Sequence, residues 1–261
     1  MPRFSANLSM LFGESSFEAR FAQAAKAGFK AVEYLSPYML EKHVIADLLK
    51  TNDLVQNLFN LSAGNWDGGE RGIACLPDRV GEFQDGIGKA IDYAKALGCV
   101  QVNCLAGKAP AGLDPAKLRQ VFVDNLKFAA AKLAEAKIEL VIEPINAHDI
   151  PGFFLNRSAQ AIAIMDDVGS ANLRLQYDIY HMQRMEGELA NTIQRLLPRI
   201  GHIQIADNPG RNEPGTGEIN HAFLFGFLDS IGYKGWVGCE YKPRTTTLAG
   251  LGWLKTIGGQ G

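Results

Sequence analysis

The chain has 261 residues, of which 47% are hydrophobic and 21% charged, with a formal net charge of −2. Those proportions fit a soluble globular protein with a large buried core, and α/β barrels of this length commonly form one domain. A pI near 6.2 excludes bulk electrostatic attraction to nucleic acid or to an anionic membrane.

Four cysteines, Cys75, Cys99, Cys104 and Cys239, form no CxxC pair and lie in mostly apolar stretches, as small buried hydrophobes do. No run of 18 apolar residues occurs, and no basic-then-apolar leader precedes the first strand. A reducing cytoplasm is the expected location.

In chain order, Phe4–Leu8 reads as a short strand, and Ser16 is placed to cap a helix from Phe17 to Ala27 that stops at Gly28. Ala31–Leu35 is a second strand, followed by a helix over 40–52 and a third strand over Gln56–Leu61. Residues 62–78 form the longest irregular stretch. A loop of that length is usually functional or disordered, and Trp66 inside it favours an ordered lid or contact surface, with self-association a further candidate role. A helix over 79–97 ends at Gly98, and Val100–Leu105 is the fourth strand.

The next helix has the clearest signature. Asp114 can cap it and Pro115 suits its first turn, while Leu118, Val121/Phe122, Leu126, Ala129 and Leu133 recur at helical spacing. Strand five covers Ile138–Glu143, a helix 158–168, strand six 173–178, a helix 187–198, strand seven 201–205, a helix 221–231 and strand eight 236–240. Eight alternating units imply parallel strands with right-handed crossovers, and over 1–261 they fit a single-domain (β/α)8 TIM barrel better than an open sheet. No GxGxxG follows an early strand, which weakens a dinucleotide-binding reading.

In such barrels the chemistry sits at the C-terminal ends of the strands. Glu143, Asp178, Gln204 and Glu240 end strands five to eight or stand beside those ends, each about one strand–helix unit from the next. A lone Glu at a strand end is commonly a salt-bridge partner, and Gln204 alone would hydrogen-bond a neighbouring strand. Together, three carboxylates and an amide oxygen suit a divalent cation, Mg2+ or Mn2+ first and Co2+ as a further candidate. Without a cation such a group would raise at least one carboxyl pKa strongly.

His181, three residues after Asp178, is suited either to a substrate oxygen or to anchoring its loop. His202 reads as structural, and His43, His148 and His221 as surface or capping residues. Arg211, after strand seven, offers a bidentate fork for a substrate carboxylate. Lys242, Arg244, Lys108 and Arg71 compete for that role.

Several segments carry a resemblance. Ile-Glu-Pro-Ile-Asn (142–146), Gln-Tyr-Asp-Ile-Tyr-His-Met-Gln (176–183), His-Ile-Gln-Ile-Ala-Asp (202–207), Glu-Pro-Gly-Thr-Gly-Glu-Ile-Asn (213–220) and Gly-Trp-Val-Gly-Cys-Glu-Tyr-Lys-Pro (235–243) are similar to the hydroxypyruvate isomerase family. That family belongs to the xylose-isomerase-like barrels. Arg3–Phe12 and Gly69–Cys75 match it too, and the likeness spans essentially the whole chain, nearest the 2-oxotetronate isomerase branch. The resemblance implies Glu143 and Glu240 as paired proton donor and acceptor, and metal ligation by Glu143, Asp178, Gln204 and Glu240. Sugar 3-epimerases of the same superfamily usually carry His at the position of Gln204.

The implied activity is isomerisation of a small anionic hydroxy-oxo acid, with His181 on a substrate oxygen and Arg211 or Lys242 on its carboxylate. The acid is 2-oxotetronate or, one carbon shorter, hydroxypyruvate. Rival readings are a sugar 3-epimerase, a non-catalytic ligand-binding barrel and an abasic-site endonuclease; five histidines and a net charge of −2 weigh against the last.

Overall fold

Short apolar strands that are buried on both faces cannot satisfy their backbone groups singly, so they pair, and eight of them close the sheet on itself. The computed structural model describes residues 2–259. Strand β1 (Arg3–Asn7) is followed by α1 (Phe17–Lys26), β2 (Ala31–Tyr34), α2 (Lys42–Thr51), β3 (Val55–Asn60), α3 (Val80–Leu97) and β4 (Gln101–Cys104). Then come α4 (Pro115–Glu135), β5 (Glu139–Ile142), α5 (Ser158–Val168), β6 (Leu173–Asp178), α6 (Ile179–Met185), α7 (Leu189–Leu196) and β7 (Ile200–Ile205). The last elements are α8 (His221–Ser230), β8 (Trp236–Cys239), α9 (Thr247–Gly250) and α10 (Gly252–Thr256). The strands run parallel in order β1 to β8, and β8 pairs with β1 to close the barrel.

Local signals explain most boundaries. Asp114 accepts from the Ala116 N–H at 2.9 Å and Pro115 takes the first position of α4, whose Leu118, Phe122, Leu126, Ala129 and Leu133 are buried. Gly98 ends α3 at φ +63°, a backbone conformation that costs other residues a Cβ clash. Ser16 precedes α1, but its side chain makes no capping bond. Two features depart from the sequence expectation. A short helix, α6, starts directly after β6, so His181 lies on a helix and not on a loop. The C-terminal segment adds α9 and α10, and Trp253 of α10 packs edge-on against Phe4 with ring centroids 5.0 Å apart.

The core lies between barrel and helices, and all four cysteines are buried there as free thiols. Burial pushes the thiols of Cys75 and Cys99 up to about 12. The inside of the barrel is different in character. Buried polar residues line it, among them Asn7, Glu33, Asn103, Gln176, Asp178, His202 and Gln204. Among the described residues no helix is long and apolar enough to cross a membrane.

The 62–78 stretch is ordered by its own polar groups. Glu70 accepts from the Asn65 N–H at 2.5 Å and pairs with Arg79 at 2.6 Å, while Arg71 lies 3.9 Å over the Trp66 ring. Gly72, at φ +108°, forms an isolated bridge with Ala106, and a Cβ there would collide with the Leu105 carbonyl. Gly72→Ala is therefore expected to cost roughly 2–4 kcal/mol, from clash plus a strained φ. A urea denaturation with a lowered midpoint and an unchanged slope is the measurement that checks it.

Candidate active site

Each candidate side chain is delivered by a strand end, and its partners decide which of its atoms remain free. Glu143 follows β5 and is buried; its Oε2 accepts from Asn103 Nδ2 at 3.0 Å, whereas its Oε1 is buried with no hydrogen-bond partner. Asp178 ends β6 and doubles as the N-cap of α6. Its Oδ1 accepts from the His181 N–H at 3.1 Å, and its Oδ2 is likewise buried and unpartnered. A carboxylate oxygen taken out of water without a donor is costly, so two converging ones mark a place for a cation or a ligand hydrogen.

His181 faces both. Its Nε2 lies 3.7 Å from Glu143 Oε1 and 3.8 Å from Asp178 Oδ2. The ring is held from behind: Asn146 Nδ2 reaches Nδ1 at 2.6 Å, and the Asn146 orientation is fixed because its Oδ1 accepts from the His148 and Asp149 N–H groups. A second donor, Arg211 Nη2, stands 3.4 Å from Nε2, but the 2.6 Å approach of Asn146 is much the shorter, so Nδ1 is the acceptor and Nε2 carries the hydrogen that points at the cavity. Burial, reinforced by Arg211, lowers the His181 pKa well below the usual value, so the ring is neutral.

Glu240 follows β8. Its Oε1 accepts from Arg211 Nη2 at 2.6 Å, and its Oε2 from Gln204 Nε2 at 2.7 Å and Asn7 Nδ2 at 2.9 Å. Arg211 sits in the β7–α8 loop at φ +54° and stacks 5.3 Å from the Tyr180 ring. That loop is tied by one buried carboxylate. Asp207 Oδ2 accepts from the N–H groups of Gly215, Thr216 and Gly217 at 2.8–2.9 Å, and Oδ1 from those of Asn208 at 2.9 Å and Ile219 at 3.0 Å. The Arg211 carbonyl accepts from the Lys242 N–H at 2.7 Å, joining this loop to the one after β8.

Glu143, His181, Arg211, Glu240 and Lys242 line one cavity of about 630 Å3, with Trp66 and Arg71 of the long loop at its edge. Lys242 is the exposed member, at the rim. Burial raises the Glu143 carboxyl well above its ordinary value, and the nearby charges of Glu240 and Asp178 add to it. Asp178 is also raised by burial, against the pull of Arg211. Glu240 is pushed up to about 8, chiefly by burial, with Arg211 opposing. The guanidinium of Arg211 loses by burial, but Glu240, Asp178 and Glu143 outweigh that loss and hold it firmly charged.

Ligand atoms of Glu143, Asp178 and His181 all lie within 4.8 Å of one another, and this group could hold a metal ion. The two unpartnered carboxylate oxygens fit a hard divalent cation. His181 could join them only by moving its hydrogen to Nδ1, against the donor from Asn146. The two other members of the expected ligand set are engaged elsewhere. Gln204 Oε1 accepts from Gln176 Nε2 at 2.6 Å, and both oxygens of Glu240 are occupied by Arg211, Gln204 and Asn7.

The remaining histidines are dispersed. His202 pairs with Glu33 at 2.9 Å, and His148 lines the cavity. His221 is buried with its Nδ1 3.7 Å from Asp207, and not at the surface as expected; Asn220 is the residue that caps α8. Sequence reasoning passed over Asn7, Glu33, Asn103 and Asn146, which hold the site from below and behind. A charged residue inside an apolar strand, as in Ala31-Val32-Glu33-Tyr34, was the signal available for Glu33.

A family model for the xylose isomerase-like TIM barrel matches residues 21–257. The chain belongs to the xylose isomerase-like TIM barrel family. Within it, the chain is 56% identical over 254 residues to a hydroxypyruvate isomerase of Escherichia coli strain K12, covering 97% of this chain and 98% of that one. It is 49% identical over 258 residues to a 2-oxo-tetronate isomerase of Cupriavidus necator, covering 98% of each. A solved structure from Brucella melitensis, described as an AP endonuclease of family 2, superposes with a TM-score of 0.96 at 43% identity, covering 98% of this chain and 99% of that one.

The loop that presents Arg211 in this xylose isomerase-like barrel rests on Asp207. Asp207→Asn turns an acceptor into a donor facing backbone N–H groups and is expected to cost about 2 kcal/mol of stability. New protease cleavage within 208–220, read by mass spectrometry alongside a denaturation curve, is the expected signature; an uncut loop counts against the latch.

Proposed function

We propose that the chain is an isomerase of a small anionic hydroxy-oxo acid, interconverting 2-oxotetronate and 3-oxotetronate. One observation carries the reading: Glu143 and Glu240, just past the ends of the non-neighbouring strands β5 and β8, line the same cavity with different partners. Two carboxyl groups in distinct surroundings, with raised pKa values, are what paired proton removal and return require. Full-length likeness to relatives named for hydroxypyruvate and 2-oxo-tetronate isomerisation supports the same reaction class.

In this reading one glutamate takes the proton from the hydroxyl-bearing carbon C3, leaving an enediolate across C2 and C3. The other glutamate delivers a proton to C2, and the hydroxyl hydrogen passes from the oxygen on C3 to that on C2. The reaction is reversible, so the two glutamates exchange roles with direction. The Nε2–H of His181 donates to the oxygen on which negative charge develops. Arg211, already poised beside Glu240, or Lys242 at the rim, binds the substrate carboxylate. The long loop with Trp66 and Arg71 narrows the entrance and limits water.

Mg2+ or Mn2+ is the proposed cofactor, with Co2+ as an alternative. Glu143 and Asp178 offer free oxygens for it, while Glu240 and Gln204 would have to exchange their present partners to join. When bound, such an ion supplies Lewis-acid polarisation of the substrate oxygens.

Hydroxypyruvate is the second reading, favoured by the 56% identity to the relative named for it. The endonuclease reading would need several histidines around the ion. Among the described residues only His181 stands with the carboxylates there.

Glu143→Gln and Glu240→Gln are each expected to lower kcat by about a thousandfold or more on whichever acid the wild type turns over, with 2-oxotetronate and hydroxypyruvate assayed side by side. Near-native turnover by both variants sinks the two-glutamate scheme. Because burial raises the Glu143 and Asp178 pKa values, the cation-free protein holds protons there that an unfolded chain has released. Its stability therefore falls as pH rises from about 4.5 through the raised values. A divalent ion displaces those protons, so its affinity rises with pH. Mn2+ is expected to raise Tm more at about pH 8 than at about pH 5.5, with proton release visible when titrations in two buffers are compared by calorimetry.

A further inference from the structure

Beneath the candidate site lies a carboxylate that the proposed chemistry does not use. Glu33 of β2 is 0% exposed and lies inside the barrel. Its Oε1 accepts from Gln204 Nε2 at 2.7 Å and from Asn7 Nδ2 at 3.3 Å; its Oε2 meets His202 Nε2 at 2.9 Å and accepts from Asn57 Nδ2 at 3.3 Å. Three amide N–H groups donate to it and one imidazole nitrogen faces it, the surroundings that suit a carboxylate. Space for it is reserved, because a Cβ at Gly238 of β8 would collide with both of its oxygens.

Two of those donors lead upward. The amide nitrogens of Gln204 and Asn7 each carry two hydrogens, and each nitrogen also reaches Glu240 Oε2, at 2.7 and 2.9 Å. Each amide therefore bridges Glu33 to Glu240. The other ends of the amides are fixed as well: Gln204 Oε1 accepts from Gln176, and Asn7 Oδ1 from the Ser9 N–H at 3.1 Å. An amide bridging two carboxylates can present only its nitrogen, since its oxygen would meet acceptors on both sides.

We infer that Glu33 is a positioning residue for the isomerisation: through the Asn7 and Gln204 amides it fixes the carboxylate of Glu240 in the orientation from which it exchanges a proton with substrate. His202 and Asn57 occupy the other oxygen of Glu33 and stop it turning away. The inference deepens the proposed function and rests on it. A small displacement of a reacting group costs far more in turnover than in binding, which sets the expected signature.

The test compares wild type, Glu33→Gln and His202→Asn. Kinetics with 2-oxotetronate and hydroxypyruvate are paired with melting curves and crystal structures of the same proteins. Glu33→Gln keeps the volume but replaces one acceptor with a donor, and is expected to lower kcat at least about tenfold while KM stays within about threefold. In its crystal the Glu240 carboxylate is expected to rotate or split into two conformers. His202→Asn frees one side of Glu33 and shifts both readouts in the same direction by less; it also decides the matter if Glu33→Gln does not fold. Glu240 and Gln204 superposing on the wild type, or kcat unchanged, overturns the inference. If the wild type turns over neither acid, the proposed function fails, and the crystallographic comparison still decides whether Glu33 positions Glu240.

Discussion

Charge balance at the mouth of the barrel is the constraint to which the rest of the structure answers. Glu33, Glu143, Asp178 and Glu240 are all buried, and one guanidinium, that of Arg211, is held among the last three. Taking so many carboxylates out of water is tolerable only if each is fed by donors or neutralised. The barrel meets this by a division of labour. Glu33 is satisfied by N–H groups, Glu240 by a cation and two amides, and Glu143 and Asp178 each keep one oxygen without a partner. The unsatisfied pair is where binding free energy is available to a cation or to a polar substrate.

That division follows from topology. Parallel strands deliver their C-terminal residues to one end of the barrel, so residues far apart in sequence meet without any local motif. The polar interior below them is the less usual feature. Asn7, Glu33, Gln176, His202 and Gln204 form a hydrogen-bonded layer where many barrels place branched aliphatics. Such a layer orients the side chains above it, at the cost of demanding that every member be paired.

Much of this was legible in the sequence. The strand–helix rhythm fixes the barrel, and carboxylates closing apolar strands mark β5, β6 and β8, because a charge there needs a partner that the strand cannot supply. What was not legible is which partner each one takes. Gln204 reads as an oxygen ligand from its place on β7, yet in the structure its nitrogen faces Glu33 and Glu240, a choice set by Glu33 of β2, Gln176 of β6 and Glu240 just past β8. His181 reads as a loop residue because α6 is short and follows β6 with no turn signal between them. Glu33 carried the same cue as Glu143, but it lies within β2 and not past a strand end, so its depth in the barrel emerges only from closure of the sheet.

The fastening of the β7–α8 loop has a consequence for how such a protein can diversify. Asp207 grips that segment through main-chain N–H groups alone, which every residue type except proline supplies. The side chains between those points carry duties of their own: Asn212 donates to the Lys242 carbonyl, Glu213 accepts from the Arg244 N–H, and Gly217 has no room for a Cβ beside the Asn208 carbonyl. Variation within this segment is therefore narrow, and recontouring of the entrance falls first to the other segments that line the cavity, while the guanidinium stays at its post.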